Sequence, residues 1–203
     1  MNAESDQRLQ YVKTVTRQHS PTREEPQMQW NIDPTHANVD FAVKHMAIST
    51  VRGAFNVFNG TGSTNEDGMP VAIAMEIDAA SISTNNGQRD AHLKSPDFFD
   101  VANFPTLTFK STRISGTRDD LTIVGDLTIR GTTKQVTLKG EMAPEVKDPW
   151  GNQRTSIVAS GKLSREQFGL TWNMALEFGG VMVSDEVKLH IEAEAVAVAP
   201  VAA

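Results

Sequence analysis

The chain has 203 residues, of which 39% are hydrophobic and 22% charged, so it is long enough for one domain with a sizeable core. Its formal net charge is -6, and the 19 basic residues are scattered among 25 acidic ones, which argues against nucleic acid as a partner. Because the chain contains no cysteine, disulfides, thiolate metal sites and cysteine nucleophiles are excluded.

Residues 1–28 are polar, contain Pro21 and Pro26, and lack a core-forming pattern, so we expect a flexible N-terminal arm. No apolar run of about 7 to 15 residues marks a secretory signal at the N-terminus, and no stretch reaches the ~18 apolar residues of a membrane helix. The sequence therefore predicts a cytoplasmic protein without stable membrane insertion, or a periplasmic one if a signal has been removed.

From Trp30 onward, apolar and polar residues alternate with a period of two, as they do in half-buried β-strands. In "NVDFAVKHMA", for example, Val39, Phe41, Val43 and His45 share one face. About eight or nine such segments can be counted, separated by turn sequences such as "NEDG" and "DPWGN". Many short strands with close turns predict an all-β fold, and we expect a barrel because closure leaves no strand with an exposed edge.

One connection, at residues 83–103, is too long for a hairpin loop and contains "GQRDAHLKSPDFFD". The segment "GQRDAHLK" is compatible with a helix, and Ser95 followed by Pro96 predicts a second short helix over "SPDFFD". We expect these short helices to cap one end of the barrel, with Phe98 and Phe99 buried against it. They would either plug a filled core or form a lid over a ligand cavity, and the local sequence leaves both alternatives open.

Four segments resemble the successive motifs of the YceI family and occur in the same order. They are "WNIDPTHANVDFAVKHMAISTVRGAFNVFNG", "SISTNNGQRDAHLKSPDFFDVANFPTLTFKS", "GDLTIRGTTKQVTL" and "SREQFGL". The resemblance implies a lipocalin-like, extended antiparallel β-barrel of eight strands whose interior holds a polyisoprenoid or another fatty amphiphile. The resemblance covers roughly residues 29–196, and we expect a barrel domain at residues 29–198, between the arm and a C-terminal tail at 199–203.

An eight-stranded barrel is either filled with side chains or just wide enough for one narrow ligand, so the sizes of the inward residues decide. Here large residues alternate with small ones such as Gly53, Ala159 and Gly161, which leaves room for a channel. His45, alone on an apolar face, is either a polar group inside this tunnel or a hydrogen-bonded core residue. We expect the tunnel to be lined by Phe41, Val43, His45, Phe55, Val57, Phe98, Phe99 and Phe109.

Polar side chains on the first predicted helix are the candidates for binding the headgroup of such a lipid. Arg89, Asp90 and His92 are expected at the capped end of the barrel, where Arg and His can donate hydrogen bonds to phenol, quinone or phosphate oxygens. The alternative is structural, because an Arg–Asp pair and a bond from His92 to the backbone would lock the helix to the barrel.

The search for catalytic, cofactor and metal motifs yields none. There is no GxSxG, and "GK" at 161–162 is followed by Leu163 rather than Ser or Thr. His36 and His45 are an odd number of residues apart on one expected strand, which makes them a poor metal pair.

We therefore expect a non-catalytic protein that binds, stores or transports its lipid. Two alternatives stay open. One is an enzyme that uses Asp90 and His92 as acid and base on a small hydrophobic substrate. The other is a structural or stress-related module with a filled barrel. The sequence does not fix the oligomeric state and is compatible with a homodimer.

Overall fold

The computed structural model describes residues 28–177 and 179–198, so most of the predicted arm and the tail at 199–203 lie outside the described residues. The described chain contains one α-helix, α1 (Gly87–Lys94), and no helix in these ranges is long and apolar enough to cross a membrane. The strands are β1 (Met28–His45), β2 (Ser49–Phe55), β3 (Phe58–Thr64), β4 (Pro70–Asp78), β5 (Ile82–Ser83), β6 (Thr106–Thr117), β7 (Asp120–Ile129), β8 (Thr132–Met142), β9 (Val146–Lys147), β10 (Gln153–Ser164) and β11 (Val183–Ala197).

The strands form a closed antiparallel barrel. The first strand, β1, pairs with the last, β11, from the Trp30–Ala197 pair to the His45–Val183 pair. The ring runs through β1, β3, β4, β6, β7, β8, β10 and β11, so the eight-stranded barrel expected from the sequence is confirmed. Closure pairs the main-chain groups that the edges of an open sheet would expose.

Strands β2 and β3 act as one bent strand beside β1. β3 pairs with the beginning of β1 and β2 with its end, and the chain leaves the strand conformation between them at Asn56 and Val57. The two strands have different partners on the side away from β1. There β3 pairs with β4, whereas β2 pairs with β5. The helix α1 follows β5 and packs beside it, so it covers the end of the barrel at which β1 finishes.

The predicted second helix over "SPDFFD" is wrong. Ser95 ends α1 with an extended backbone, and residues 96–99 form a turn. The N–H groups of Phe99 and Val101 donate to the carbonyls of Leu93 and Lys94, at 3.0 and 3.1 Å. Because these bonds satisfy carbonyls that the end of a helix leaves free, the segment folds back on α1 instead of starting a helix of its own.

Candidate functional site

A cavity runs along the inside of the barrel, from Trp30 at one end to Val43 and Leu163 near the other. Its volume is about 230 Å³, and apolar side chains form most of its wall. Trp30 is buried at what we call the far end, where its indole N–H donates to Thr64 Oγ1 at 3.0 Å. The interior is therefore hollow rather than filled with side chains.

Six of the predicted tunnel residues lie on the cavity wall. Their rings also pack on one another: the centroids of Phe41 and Phe55 are 5.8 Å apart, and Phe99 meets Phe55 edge to face at 5.7 Å. A glycine makes room for one of them, since a Cβ at Gly53 would stand 2.4 Å from Phe41 Cζ. The six residues are Phe41, Val43, Phe55, Phe98, Phe99 and Phe109.

The other two predicted tunnel residues lie elsewhere. The prediction for Val57 is wrong, because it stands at the break between β2 and β3 and is 58% exposed. The alternation that points Phe55 inward stops there, and the carbonyl of Val57 accepts a hydrogen bond from the N–H of Asp78 at 2.9 Å. His45, the last residue of β1, lines the opening of the barrel and not the tunnel.

Beside α1 the cavity continues into a wider space of about 440 Å³, which we call the mouth. Aromatic rings form one side of it. His92 lies edge to face on Trp172, with ring centroids 4.7 Å apart, and on Phe98 at 5.1 Å. The mouth therefore combines apolar contact area with basic side chains. Its wall also includes Lys44, His45, Thr84, Arg89 and Met182.

Two of the predicted headgroup residues, Arg89 and Asp90, both bind Thr84. Arg89 lines the mouth and donates from Nε to the Thr84 hydroxyl at 2.7 Å and from Nη2 to the Thr84 carbonyl at 2.8 Å. The carboxylate of Asp90 accepts from the Thr84 N–H at 2.8 Å and from its hydroxyl. Burial raises the pKa of Asp90, but the hydrogen bonds from Thr84 outweigh this effect and hold the pKa below its ordinary value.

His92 has a different partner. Its Nε2 pairs with the carboxylate of Asp97 at 2.9 Å. Two details of the structural alternative are therefore wrong. Within the described residues, Thr84 joins Arg89 and Asp90 in place of a direct bond between them, and His92 binds Asp97 rather than the backbone. The acid and base of the enzyme alternative have different partners, because Asp90 binds Thr84 and His92 binds Asp97.

Residues 171–177 and 179–183 contribute to the mouth in a way that the sequence does not reveal. Trp172, Met182 and Val183 complete the mouth wall, although they lie about 80 residues from α1 along the chain. Arg165, which is 3% exposed, holds this segment in place through its guanidinium. The arginine in "SREQFGL" was visible in the sequence, but no periodic pattern shows which carbonyls a side chain will reach. They are those of Leu170, Trp172, Val183 and Ser184.

The family model of the YceI-like domain matches residues 30–195. The chain belongs to the YceI-like family. Protein YceI of Escherichia coli is 39% identical over 163 residues, which cover 79% of this chain and 82% of that protein. The crystal structure of the Campylobacter jejuni YCEI protein matches with a TM-score of 0.66 at 28% identity, over 75% of this chain and 88% of that one. A polyisoprenoid-binding domain from Saccharophagus degradans matches with a TM-score of 0.59 at 13% identity, over 83% and 98%.

At its far end the YceI-like barrel carries a polar cluster on the outer surface. Asp33, His36 and Glu194 lie within 4.8 Å of one another, a spacing at which three such groups can hold a metal ion. Arg154 occupies this position with its guanidinium. It donates to Asp33 at 3.0 Å, to Asp148 at 2.8 Å and to Glu194. The cluster is thus a charge-assisted network that ties β1, β10 and β11 together.

The network lowers the pKa values of two carboxyls. Hydrogen bonds from Thr35 and Arg154 hold the pKa of Asp33 well below its usual range. For Asp148, hydrogen bonds from Arg154 and then Asn152 lower the pKa in the same way. A carboxyl whose pKa is lower in the folded than in the unfolded state stabilises the fold above the unfolded value, about 4, and loses that contribution as the pH falls further.

We therefore expect the protein to lose stability below about pH 4 and the Arg154→Met variant to lose less of it. At neutral pH the variant should be less stable than the wild type, because both carboxylates lose their strongest shared donor. Urea denaturation at neutral pH and below about pH 4 measures the two effects. An equally steep acid decline in the variant would mean that other carboxyls cause it.

Proposed function

We propose that this protein binds a polyisoprenoid or a similar long-chain amphiphilic lipid inside the barrel and stores or transports it without catalysis. The observation that carries the proposal is the apolar cavity that runs from Trp30 to the mouth. The fold shared with a polyisoprenoid-binding domain from Saccharophagus degradans supports it. Burying one CH₂ group gains about 0.8 kcal/mol, so a chain of several isoprene units needs no polar anchor to bind.

A narrow apolar tunnel distinguishes its ligands mainly by length and width, so the specific element has to be at the mouth. We assign this role to Arg89 and His92, together with His45. Arg89 uses Nε and Nη2 to bind Thr84, and it lines the mouth together with His45 and His92. We assign a structural role to Asp90, since it also binds Thr84.

The direct test is mass spectrometry of an organic extract of the purified protein, followed by calorimetric titration with the extracted class of lipid. We expect a prenol, prenyl phenol, quinone or related amphiphile in about one copy per chain, because the barrel has one tunnel. A protein that extracts without lipid and shows no heat of binding with prenols of several lengths would contradict the proposal.

Arg89→Ala should weaken a ligand with an oxygen headgroup by about 1.5 to 3 kcal/mol, the scale of a hydrogen bond to a charged group. The plain hydrocarbon of equal length should bind almost as before, because it offers no acceptor. Calorimetry of this matched pair of ligands measures the difference. Asp90→Asn is the control, since it weakens the other hydrogen bonds that hold Thr84 without changing the basic wall. Equal losses for both ligands in the Arg89 variant would show that this arginine only braces α1.

A further inference from the structure

Large apolar side chains project into solvent around the mouth. Ile48, in the turn between β1 and β2, is 79% exposed, and Met174 and Val181, in the segment that precedes β11, are 52% and 49% exposed. We call these three residues the rim. A side chain of this size gains free energy when it leaves water, so three of them beside one opening need an explanation that the tunnel alone does not supply.

The rim is a single surface, because backbone hydrogen bonds join its two segments. The N–H of Met46 donates to the carbonyl of Met182 at 2.8 Å, and the N–H of Met182 donates to the carbonyl of Met174 at 2.9 Å. Ala175 and Val181 form an isolated antiparallel bridge within the second segment. Ile48, Met174 and Val181 are therefore presented together.

The turn that carries Ile48 is built from residues that do not favour its conformation. Met46 and Ala47 have φ values of 51° and 61°. Asn and Gly adopt this left-handed region most readily, and apolar side chains there cost stability. An apolar turn at this place is thus not explained by the fold of the hairpin itself.

Charged side chains of both signs lie near the rim, and three of them are basic residues on the mouth wall or beside it. Lys44 and Arg89 belong to the mouth wall, and the exposed Arg52 follows on β2. Of the acids in these segments and at the start of β11, Asp97 is paired with His92 and Glu186 with Lys162, while Glu177 and Asp185 are exposed. An apolar surface with Lys44, Arg52 and Arg89 beside it complements a bilayer that contains anionic phospholipid.

We propose that the rim docks on the surface of an anionic lipid bilayer, so that a lipid passes between the bilayer and the barrel through the mouth. The inference rests on the proposed function for the identity of the cargo, but docking itself does not require the barrel to be loaded. A polyisoprenoid has little solubility in water. If the mouth docks on the bilayer, the lipid enters the barrel without passing through solvent.

The test compares Ile48→Asp with Trp150→Asp in the full chain. Trp150 is 81% exposed in the turn before β10, at the far end, so it is an exposed apolar residue that docking at the mouth leaves in solution. The probes are flotation with vesicles of phosphatidylcholine and phosphatidylglycerol, and uptake of a fluorescent prenol either from these vesicles or from dilute ethanol. We expect Ile48→Asp to reduce flotation and uptake from vesicles about tenfold, the effect of losing one buried apolar side chain.

Trp150→Asp should match the wild type in both vesicle assays, and Ile48→Asp should take up the prenol from ethanol as the wild type does. Equal vesicle binding by the Ile48 variant and the wild type would overturn the proposal, and so would an equal loss in both variants. If the wild type takes up no prenol from either source, the proposed function fails, and flotation that depends on Ile48 still supports docking.

Discussion

Val43→Trp should abolish most lipid binding while the barrel stays folded. Val43 lies where the cavity meets the mouth, because it lines both. An indole at this point blocks the passage, and we expect an affinity loss of about 100-fold or more, which corresponds to about 2.8 kcal/mol. In a filled core the added bulk would cost about 1 to 3 kcal/mol of stability, but in a hollow barrel it should cost less than about 1 kcal/mol.

Val71→Trp is the matched control, since Val71 is 41% exposed on the outside of β4. It makes the same change of side chain without entering the cavity, so lipid binding should be unchanged. Calorimetry with a prenol and urea denaturation of both variants separate the two effects. Loss of folding in the Val43 variant, or equal binding by both, would contradict the assignment of this cavity as the lipid site.

Arg165→Met should be the most destabilising of the substitutions considered. The buried guanidinium donates to the carbonyls of residues 170, 172, 183 and 184, and its removal takes this donor from all four. The carbonyl of Val183 still accepts from Asn173 Nδ2 at 2.7 Å. A buried polar group without a partner costs about 1 to 3 kcal/mol, while removal of the buried charge recovers part of this loss. We expect a net loss of about 3 kcal/mol, which lowers the melting temperature of a chain of this size by roughly 6 to 12 °C.

Arg113→Met serves as the control for the same change of side chain. Arg113 is exposed on β6, and surface substitutions of this kind usually change stability by less than about 0.5 kcal/mol. Urea denaturation gives both values. If the Arg165 variant unfolds at the same midpoint as the wild type, the carbonyls find other donors and Arg165 does not hold the mouth wall.

The barrel was predictable because its physical cause is visible along the chain. Val39, Phe41 and Val43 stand at every second position of β1, and all three line the cavity. The same rule failed at Val57, where two residues outside the strand shift the phase and turn the side chain outward. The alternation of apolar and polar residues predicts which side chains are buried only within a continuous strand. It does not predict where the strand bends.

The site was harder to predict than the barrel because it depends on contacts between distant segments. The position of Arg89 at the capped end followed from the long connection that contains it. That Thr84 would bind both Arg89 and Asp90, and that Trp172 would pack against His92, depends on how α1 is placed on the barrel. Such contacts have no periodicity and no fixed spacing, so one sequence does not reveal them.

The pairing of β1 with β11 also determines how the protein can be attached to something else. The N–H of Val198 donates to the carbonyl of Gln29 at 2.8 Å, so the two ends of the described chain lie side by side at the far end. A tether, a fused domain or an immobilising tag joined directly at Met28 or Val198 therefore leaves from the end opposite to the mouth. Anchored in this way, the barrel keeps its opening directed away from the attachment point and free to exchange cargo.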